Sequence, residues 1–185
     1  MHTRDRIALE TLVVGPGECE VATEGRLVTR RVQSCVVIAA HIPRLGLAAM
    51  LRISLPDSAM DPVLASREPC LFADTGVPVL LERIAQYGGK REEALVWAMG
   101  AAPAGAGALS SVAKQNEVAV QQAIAKAGLT LAGKDFGGNV SRSVWLESLG
   151  GRLIVSAEYR DSDQRKAAAT KPEAAAVAGS QRLWG

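Results

Sequence analysis

The chain of 185 residues is poor in the side chains from which many functional sites are built. It has two histidines, His2 and His41, and only 4% of its residues are aromatic. Two histidines exclude a histidine-rich metal site, so any catalysis must manage with little imidazole. The three cysteines, Cys19, Cys35 and Cys70, match neither a zinc-binding nor a disulfide pattern. We therefore expect three free thiols and no metal ligands among them.

A dominant charge sign and a long apolar run are also missing. Lys and Arg number 21 and Asp and Glu 19, and this balance argues against a nucleic-acid partner. The longest apolar runs, such as residues 36–40, are far shorter than the roughly 20 residues of a membrane-spanning helix. Charged residues within the first ten positions interrupt the apolar core of a signal peptide. We expect no membrane insertion and a cytoplasmic location.

Short stretches rich in β-branched or alternating apolar residues predict six strands. They are Leu27–Thr29, Val36–Ala40, Leu47–Leu55, Ala94–Met99, Ser143–Leu146 and Leu153–Ala157. The pair Gly150–Gly151 between the last two predicts a hairpin.

Apolar residues at helical spacing predict two helices. The first carries Val77, Leu80, Leu81 and Ile84, with a cap at Asp74 and an end at Gly88–Gly89. The second carries Val112, Asn116, Val120, Ile124 and Ala127, begins behind Ser110–Ser111 and ends at Gly128. Many strands with two substantial helices predict an α+β protein in layers, and the length predicts a single domain.

The two ends of the chain differ in composition from its middle. Residues 161–185 combine alanine runs with Lys, Glu, Ser, Gln and Pro and lack periodic large apolar residues. This composition predicts a flexible tail. We predict a flexible N-terminus at residues 1–11 and one domain at residues 12–160.

Cys35 stands where a polar segment meets an apolar one. Residues 29–34 are mostly polar, and Val36–Ile38 directly after Cys35 is apolar. A cysteine at such a junction can be held rigidly and still be reached by a substrate, as a nucleophile must be. The alternative is a cysteine that only fills space at the start of a core strand.

Short motifs occur in a fixed order between residues 12 and 159. They are Leu27–Thr29, Ser34–Val37, Ser54–Pro56, Phe72–Thr75, Met99–Ala101, Lys114–Val118, Lys134–Asn139 and Arg142–Val144. This ordered set resembles the CheD family, the chemoreceptor glutamine deamidases of bacterial chemotaxis. The resemblance implies a three-layer α/β/β sandwich and an activity that requires no cofactor.

The resemblance also implies roles for individual residues. Cys35 matches the cysteine that attacks the carboxamide of a receptor glutamine, and Thr29 matches the threonine that orients a catalytic histidine. Ammonia leaves, and water then releases glutamate. Ser34 is expected to contact the substrate.

The loop Gly137, Gly138 and Asn139 keeps the family pattern intact. One interpretation is that its backbone forms the wall of the substrate pocket beside Cys35. The other is an ordinary tight turn between two strands.

The position of the family's catalytic histidine falls on Arg52. A guanidinium stays protonated in proteins, so Arg52 can supply positive charge but cannot carry the proton that leaving ammonia requires. His41 lies six residues after Cys35, about 20 Å along a strand, and is expected in a surface turn. Arg52 also has a simpler interpretation as a solvated side chain on the open face of a sheet.

Three hypotheses follow. The first is a deamidase acting on methyl-accepting chemoreceptors, impaired by Arg52. The second is a catalytically inert binding module for these receptors or for a CheC-type phosphatase. The third is a shared architecture with an unrelated substrate.

Overall fold

The computed structural model describes residues 10–103, 108–159 and 180–184, whose ten strands form two five-stranded sheets. The outer sheet contains, in spatial order, β1 (Thr11–Val13), β3 (Arg26–Val32), β8 (Val140–Glu147), β9 (Leu153–Tyr159) and β10 (Ser180–Trp184). The inner sheet contains β2 (Cys19–Ala22), β5 (Leu47–Ile53), β4 (Val36–Ile42), β6 (Leu95–Gly100) and β7 (Leu131–Phe136). The pairs β1–β3 and β6–β7 are parallel, and the other pairs are antiparallel.

Helices form the third layer, on the face of the inner sheet that points away from the outer sheet. They are α1 (Pro62–Arg67), α2 (Ala73–Gln86) and α3 (Ala108–Lys126), with 3-10 turns at Pro43–Leu45, Ser58–Met60, Pro69–Leu71 and Arg91–Glu93. Within the described ranges, no helix combines the length and apolar character needed to cross a bilayer.

The inner sheet is buried on both faces, and β4 runs through its centre. All seven residues of β4 are buried. Because side chains alternate along a strand, Ile38 and Ala40 pack toward the helices, whereas Val37 and Ala39 pack toward the outer sheet. A strand covered on both sides has an almost continuous apolar sequence, which is why residues 36–40 form an unbroken apolar run.

The observed architecture confirms the predicted single-domain α+β fold in three layers. Each of the six predicted strands overlaps an observed strand, although β5 stops at Ile53 instead of Leu55 and β6 begins at Leu95 instead of Ala94. Both predicted helices are present, and Gly150 and Gly151 turn the β8–β9 hairpin with positive φ angles. The strands β1, β2, β7 and β10 were not predicted.

Three local expectations need correction. Asp74 does not cap α2, because the N-cap residue is Phe72 and the Asp74 carboxylate accepts hydrogen bonds from Ser58 instead. His41 does not lie in a surface turn. It belongs to β4, is 4% exposed, and its Nε2 lies 2.9 Å from the carbonyl oxygen of Ser148.

The third correction concerns the C-terminal segment. Its residues Ser180–Trp184 pair antiparallel with β9 and extend the outer sheet, so the expectation of a flexible tail does not hold for them. The other predicted tail residues lie outside the described part of the chain, as do residues 1–9 of the predicted flexible N-terminus.

Candidate active site

The ends of four inner-sheet strands meet around Cys35. Antiparallel pairing places the start of β4 beside the ends of its two neighbours, so Val36 pairs with both Ile53 and Gly100. The end of β7 lies next to the end of β6, since Phe136 pairs with Gly100. Cys35 directly precedes Val36, and its side chain is only partly buried. The tertiary fold thus presents this thiol at the end of the central strand, where its neighbours also end.

The backbone of Cys35 is held by the segment that follows β6. The amide of Ala101 donates to the carbonyl oxygen of Cys35 over 2.8 Å. Gly100 has a φ of +125°, and a Cβ at this position would collide with that same carbonyl oxygen. Only glycine allows these two segments of the chain to approach so closely.

The Cys35 thiol faces the hydroxyl of Ser54. The Sγ and Oγ atoms are 3.4 Å apart, and the contact is partly buried. Either atom can donate the hydrogen, because both the thiol and the hydroxyl carry one.

Asn116 of α3 joins the segments on both sides of this contact. Its side chain is fully buried, and its Nδ2 donates to the carbonyl oxygens of Ser34 and Ser54, each over 2.9 Å. One amide therefore fixes the residue before Cys35 relative to the residue whose hydroxyl Cys35 contacts.

Arg52 reaches from the inner sheet to β3 of the outer sheet. Its Nη1 donates to the hydroxyl oxygen of Thr29 over 3.2 Å and to the carbonyl oxygen of Arg30 over 3.0 Å. Thr29 is completely buried. Arg52 is half-buried and directed into the protein, so it is not the solvated side chain on an open face that formed the simpler interpretation.

The part of β3 that Arg52 contacts is irregular. The pairing of β3 with β8 shifts register between Thr29 and Val32, and Arg31 has a φ of +55°. This left-handed conformation is unfavourable for any residue other than glycine, by about 1–2 kcal/mol. Arg52 Nη2 lies 3.5 Å from the carbonyl oxygen of Arg31, so the guanidinium supports the strained segment.

The loop Gly137, Gly138 and Asn139 connects β7 to β8, and both glycines have positive φ angles. The amide of Gly137 donates to the carbonyl oxygen of Gly100 over 2.9 Å, which places the loop one strand away from Cys35. The loop is thus a turn between strands and a neighbour of the candidate nucleophile. Its contact with a substrate, like that of Ser34, stays a prediction.

Histidine does not take part in this arrangement within the described residues. His41 lies toward the other end of β4, where the Ser148 carbonyl oxygen engages its ring, and His2 is outside the described residues. No group of three or more His, Cys, Asp and Glu side chains in the described ranges is placed to hold a metal ion.

The other two cysteines form a buried pair away from solvent. All three cysteines are free, as predicted. The hydrogen bond between Cys19 and Cys70 raises the pKa of Cys19 strongly, with desolvation acting in the same direction. The same bond lowers the pKa of Cys70. Cys35 differs from both in its partial exposure.

Ser54 and Asn116 belong to sequence motifs for which no individual role was predicted. Ser54 lies two positions after Arg52, beyond the end of β5. Asn116 is a polar residue on the apolar stripe of α3, and a buried polar residue must find partners. That mismatch was the available signal for a site role.

Comparison with known proteins agrees with this architecture. A family model described as CheD chemotactic sensory transduction matches residues 54–157. A protein from Solibacter usitatus named probable chemoreceptor glutamine deamidase CheD is 36% identical over 148 residues, which cover 78% of this chain and 88% of that protein. A protein named probable chemoreceptor glutamine deamidase CheD 2, from Anaeromyxobacter dehalogenans, is 32% identical over 80% of this chain and 94% of its own length.

A third relative is similar over much of its length as well. The probable chemoreceptor glutamine deamidase CheD of Haloarcula marismortui is 34% identical over 161 residues, or 83% of this chain and 88% of that protein. The family model matches more than half of the chain, and these relatives are covered almost completely. The chain belongs to the CheD family of chemotaxis proteins.

Proposed function

We propose that this protein deamidates glutamine side chains of methyl-accepting chemoreceptors in the cytoplasm, with Cys35 as the nucleophile and with slow turnover. The observation that carries the proposal is the position of the Cys35 thiol, partly exposed at the meeting point of four strand ends and 3.4 Å from a hydroxyl. The relatives named chemoreceptor glutamine deamidases supply the substrate class.

The reaction needs a thiol, a proton carrier and water. Cys35 Sγ adds to the carboxamide carbon of the glutamine and forms a tetrahedral intermediate. The carbon–nitrogen bond then breaks, and ammonia leaves once its nitrogen has gained a proton, which yields a thioester on Cys35. Water adds to the thioester, and the products are glutamate and the restored thiol. Gly137, Gly138, Asn139 and Ser34 surround the substrate in this proposal.

Slow turnover follows from the chemistry of Arg52. Its guanidinium keeps its proton near neutral pH, so it neither accepts the thiol proton nor delivers one to ammonia. Its Nη1 donors point at Thr29 and Arg30, the residues of β3 to which they bind. Arg52 therefore contributes positive charge and structural support, whereas the proton transfer that a histidine performs is left without an imidazole.

A second candidate function is a binding module without turnover. The contact between Arg52 and Thr29 favours it, because the hydroxyl that would orient a histidine already accepts a hydrogen bond from a permanent cation. In this case the partners are chemoreceptors or a CheC-type phosphatase.

The deciding experiment is a glutamine-to-glutamate assay on cytoplasmic fragments of chemoreceptors. Ammonia release is followed with time, and mass spectrometry identifies each residue that gains one mass unit. The variants are Cys35→Ala, Arg52→His and, as a matched cysteine control away from the site, Cys70→Ala. Activity in the wild type and in Cys70→Ala, together with its loss in Cys35→Ala, supports the deamidase.

Other outcomes favour the binding module. A silent wild type that gains activity in Arg52→His would contradict the proposed turnover. Retention of receptor fragments by Cys35→Ala in a pull-down would then support binding as the function, and loss of all receptor binding would remove the basis of that candidate.

A further inference from the structure

The Ser54 hydroxyl is placed to accept the proton that leaves the Cys35 thiol. Ser54 Oγ lies 3.4 Å from Cys35 Sγ, and both side chains are partly buried. The amide of Ser54 donates to the carbonyl oxygen of Leu71 over 2.9 Å, so the backbone of Ser54 is anchored although it lies beyond the end of β5.

A second contact keeps the thiol and the hydroxyl in register. Asn116 Nδ2 donates to the carbonyl oxygens of Ser34 and Ser54, and its side chain is fully buried. The segment before Cys35 and the segment carrying Ser54 therefore move together. Because both backbone segments are anchored, the distance between Cys35 Sγ and Ser54 Oγ is set by the fold of the backbone and not by one flexible side chain.

Neither Arg52 nor His41 provides an alternative path for this proton. Arg52 directs its Nη1 and Nη2 donors at β3 and stays protonated. His41 is about 20 Å away along β4, at roughly 3.3 Å per residue. A serine hydroxyl, by contrast, donates one hydrogen and accepts another at the same oxygen.

We infer that Ser54 is the residue that positions the Cys35 thiol and relays its proton to the departing nitrogen, in place of a histidine. As Sγ bonds to the carboxamide carbon, the thiol proton passes to Ser54 Oγ, and the Ser54 hydroxyl proton passes to the amide nitrogen. The carbon–nitrogen bond breaks and ammonia leaves. The serine regains a hydroxyl, so one proton has moved from sulfur to nitrogen and no other reactant is consumed.

The reverse transfer completes the cycle. When water attacks the thioester, one proton of the water passes through Ser54 Oγ to sulfur, and the carbon–sulfur bond breaks to leave the glutamate. This inference rests on the proposed deamidation for its substrate, but the effect of the Ser54 hydroxyl on the reactivity of Cys35 can be measured without any receptor.

The test compares wild type, Ser54→Ala, Ser54→Thr and Ser66→Ala in the full-length chain. Ser66 is a matched control, because its hydroxyl donates to the carbonyl oxygen of Val63 within α1. The first measurement is the rate at which iodoacetamide alkylates Cys35 near neutral pH, determined by peptide mass spectrometry. The second is ammonia release from receptor fragments, from which kcat and KM are separated.

We expect Ser54→Ala to slow alkylation of Cys35 about tenfold, the effect of removing one hydrogen bond to a charged group. Ser54→Thr keeps the hydroxyl and should restore the rate, and Ser66→Ala should match the wild type. In the receptor assay Ser54→Ala should lower kcat and leave KM unchanged, because the hydroxyl acts on the nucleophile rather than on receptor binding.

Two results would overturn the assignment: wild-type alkylation in Ser54→Ala, or a threonine variant as slow as the alanine variant. A wild type that releases no ammonia would instead refute the proposed deamidation. The alkylation rates would still decide whether the Ser54 hydroxyl activates the Cys35 thiol, so the two failures are distinguishable.

Discussion

Arg52 donates a hydrogen bond to the buried hydroxyl of Thr29 over 3.2 Å, and this contact links β5 of the inner sheet to β3 of the outer sheet. This contact forms because Arg52 and Met50 lie on the same face of β5, which packs against the outer sheet, and β3 is the strand of that sheet nearest to Arg52. The threonine that the family resemblance assigns to orienting a histidine thus holds an arginine. This single contact connects the proposed loss of proton transfer with the stability of β3.

The first prediction concerns the restoration of an imidazole. Arg52→His should raise the rate of ammonia release from chemoreceptor fragments, because a histidine there carries a proton near neutral pH and accepts orientation from Thr29. General acid–base catalysis contributes about 100-fold or more, so a gain of at least about tenfold is expected even in an imperfect geometry. Arg52→Gln is the matched control, because its amide retains a polar contact and does not titrate.

Equal rates for the histidine and glutamine variants would contradict this explanation of slow turnover. Arg52→His also removes the donors to Arg30 and Arg31, so its melting temperature should be recorded beside its activity.

The second prediction concerns the strained turn of β3. Arg31→Gly should stabilise the protein by about 1 kcal/mol, because glycine adopts the φ of +55° without a steric penalty. For a chain of this size the midpoint of thermal unfolding should rise by about 2–4 °C. Arg30→Gly is the matched control, since Arg30 is the exposed residue next to Arg31 in β3. A glycine at this position should destabilise the protein. A destabilised Arg31→Gly would show that the arginine side chain itself supports the turn.

The third prediction concerns the order in which the cysteines react. Iodoacetamide should alkylate Cys35 first, because Cys35 is partly exposed whereas Cys19 and Cys70 are 3% and 8% exposed. Cys70 should react before Cys19, since their hydrogen bond lowers the pKa of Cys70 and raises that of Cys19. Peptide mass spectrometry against time gives the order, and denatured protein serves as the reference. Preferential labelling of Cys19 in the native chain would contradict the described packing.

The fourth prediction concerns the buried amide beside the site. Asn116→Ala should lower the free energy of unfolding by about 2–4 kcal/mol, because two partly buried carbonyl oxygens lose their donor. Gln115→Ala is a matched control on the same helix. Gln115 is exposed, so its truncation should change stability by less than about 0.5 kcal/mol. Denaturant unfolding measures both variants, and similar values for the two would refute the role of Asn116 as a bridge.

The fifth prediction separates the structural histidine from the site. His41→Ala should destabilise the fold by about 1–3 kcal/mol, because it leaves the buried carbonyl oxygen of Ser148 without this partner. The rate of Cys35 alkylation should not change, since His41 lies toward the opposite end of β4. A large loss of Cys35 reactivity in a folded His41→Ala protein would mean that the two residues are coupled.

Local patterns were sufficient to predict much of the secondary structure. Alternating and continuous apolar stretches identified β4 and β8, and helical spacing identified α2 and α3, because these periodicities follow from how side chains project from the backbone. The same local pattern located Cys35 directly before a core strand. Short edge strands such as β1 and β10 were not predicted, because a strand of three to five residues has too little periodicity to be identified from its sequence.

The arrangement of the site depended on contacts between residues distant in sequence. The pairing of β4 with β5 and β6 brings Cys35 beside Ser54 and Ala101, and the stacking of two sheets brings Thr29 to Arg52. Neither follows from spacing along the chain, because strand order, register and layer packing are chosen by the burial of all the apolar faces together. The same cause moved His41 from an expected turn into the core, where the covering outer sheet supplies the carbonyl oxygen of Ser148. Residue chemistry was therefore readable from the sequence, whereas the pairing of these residues was decided by the tertiary fold.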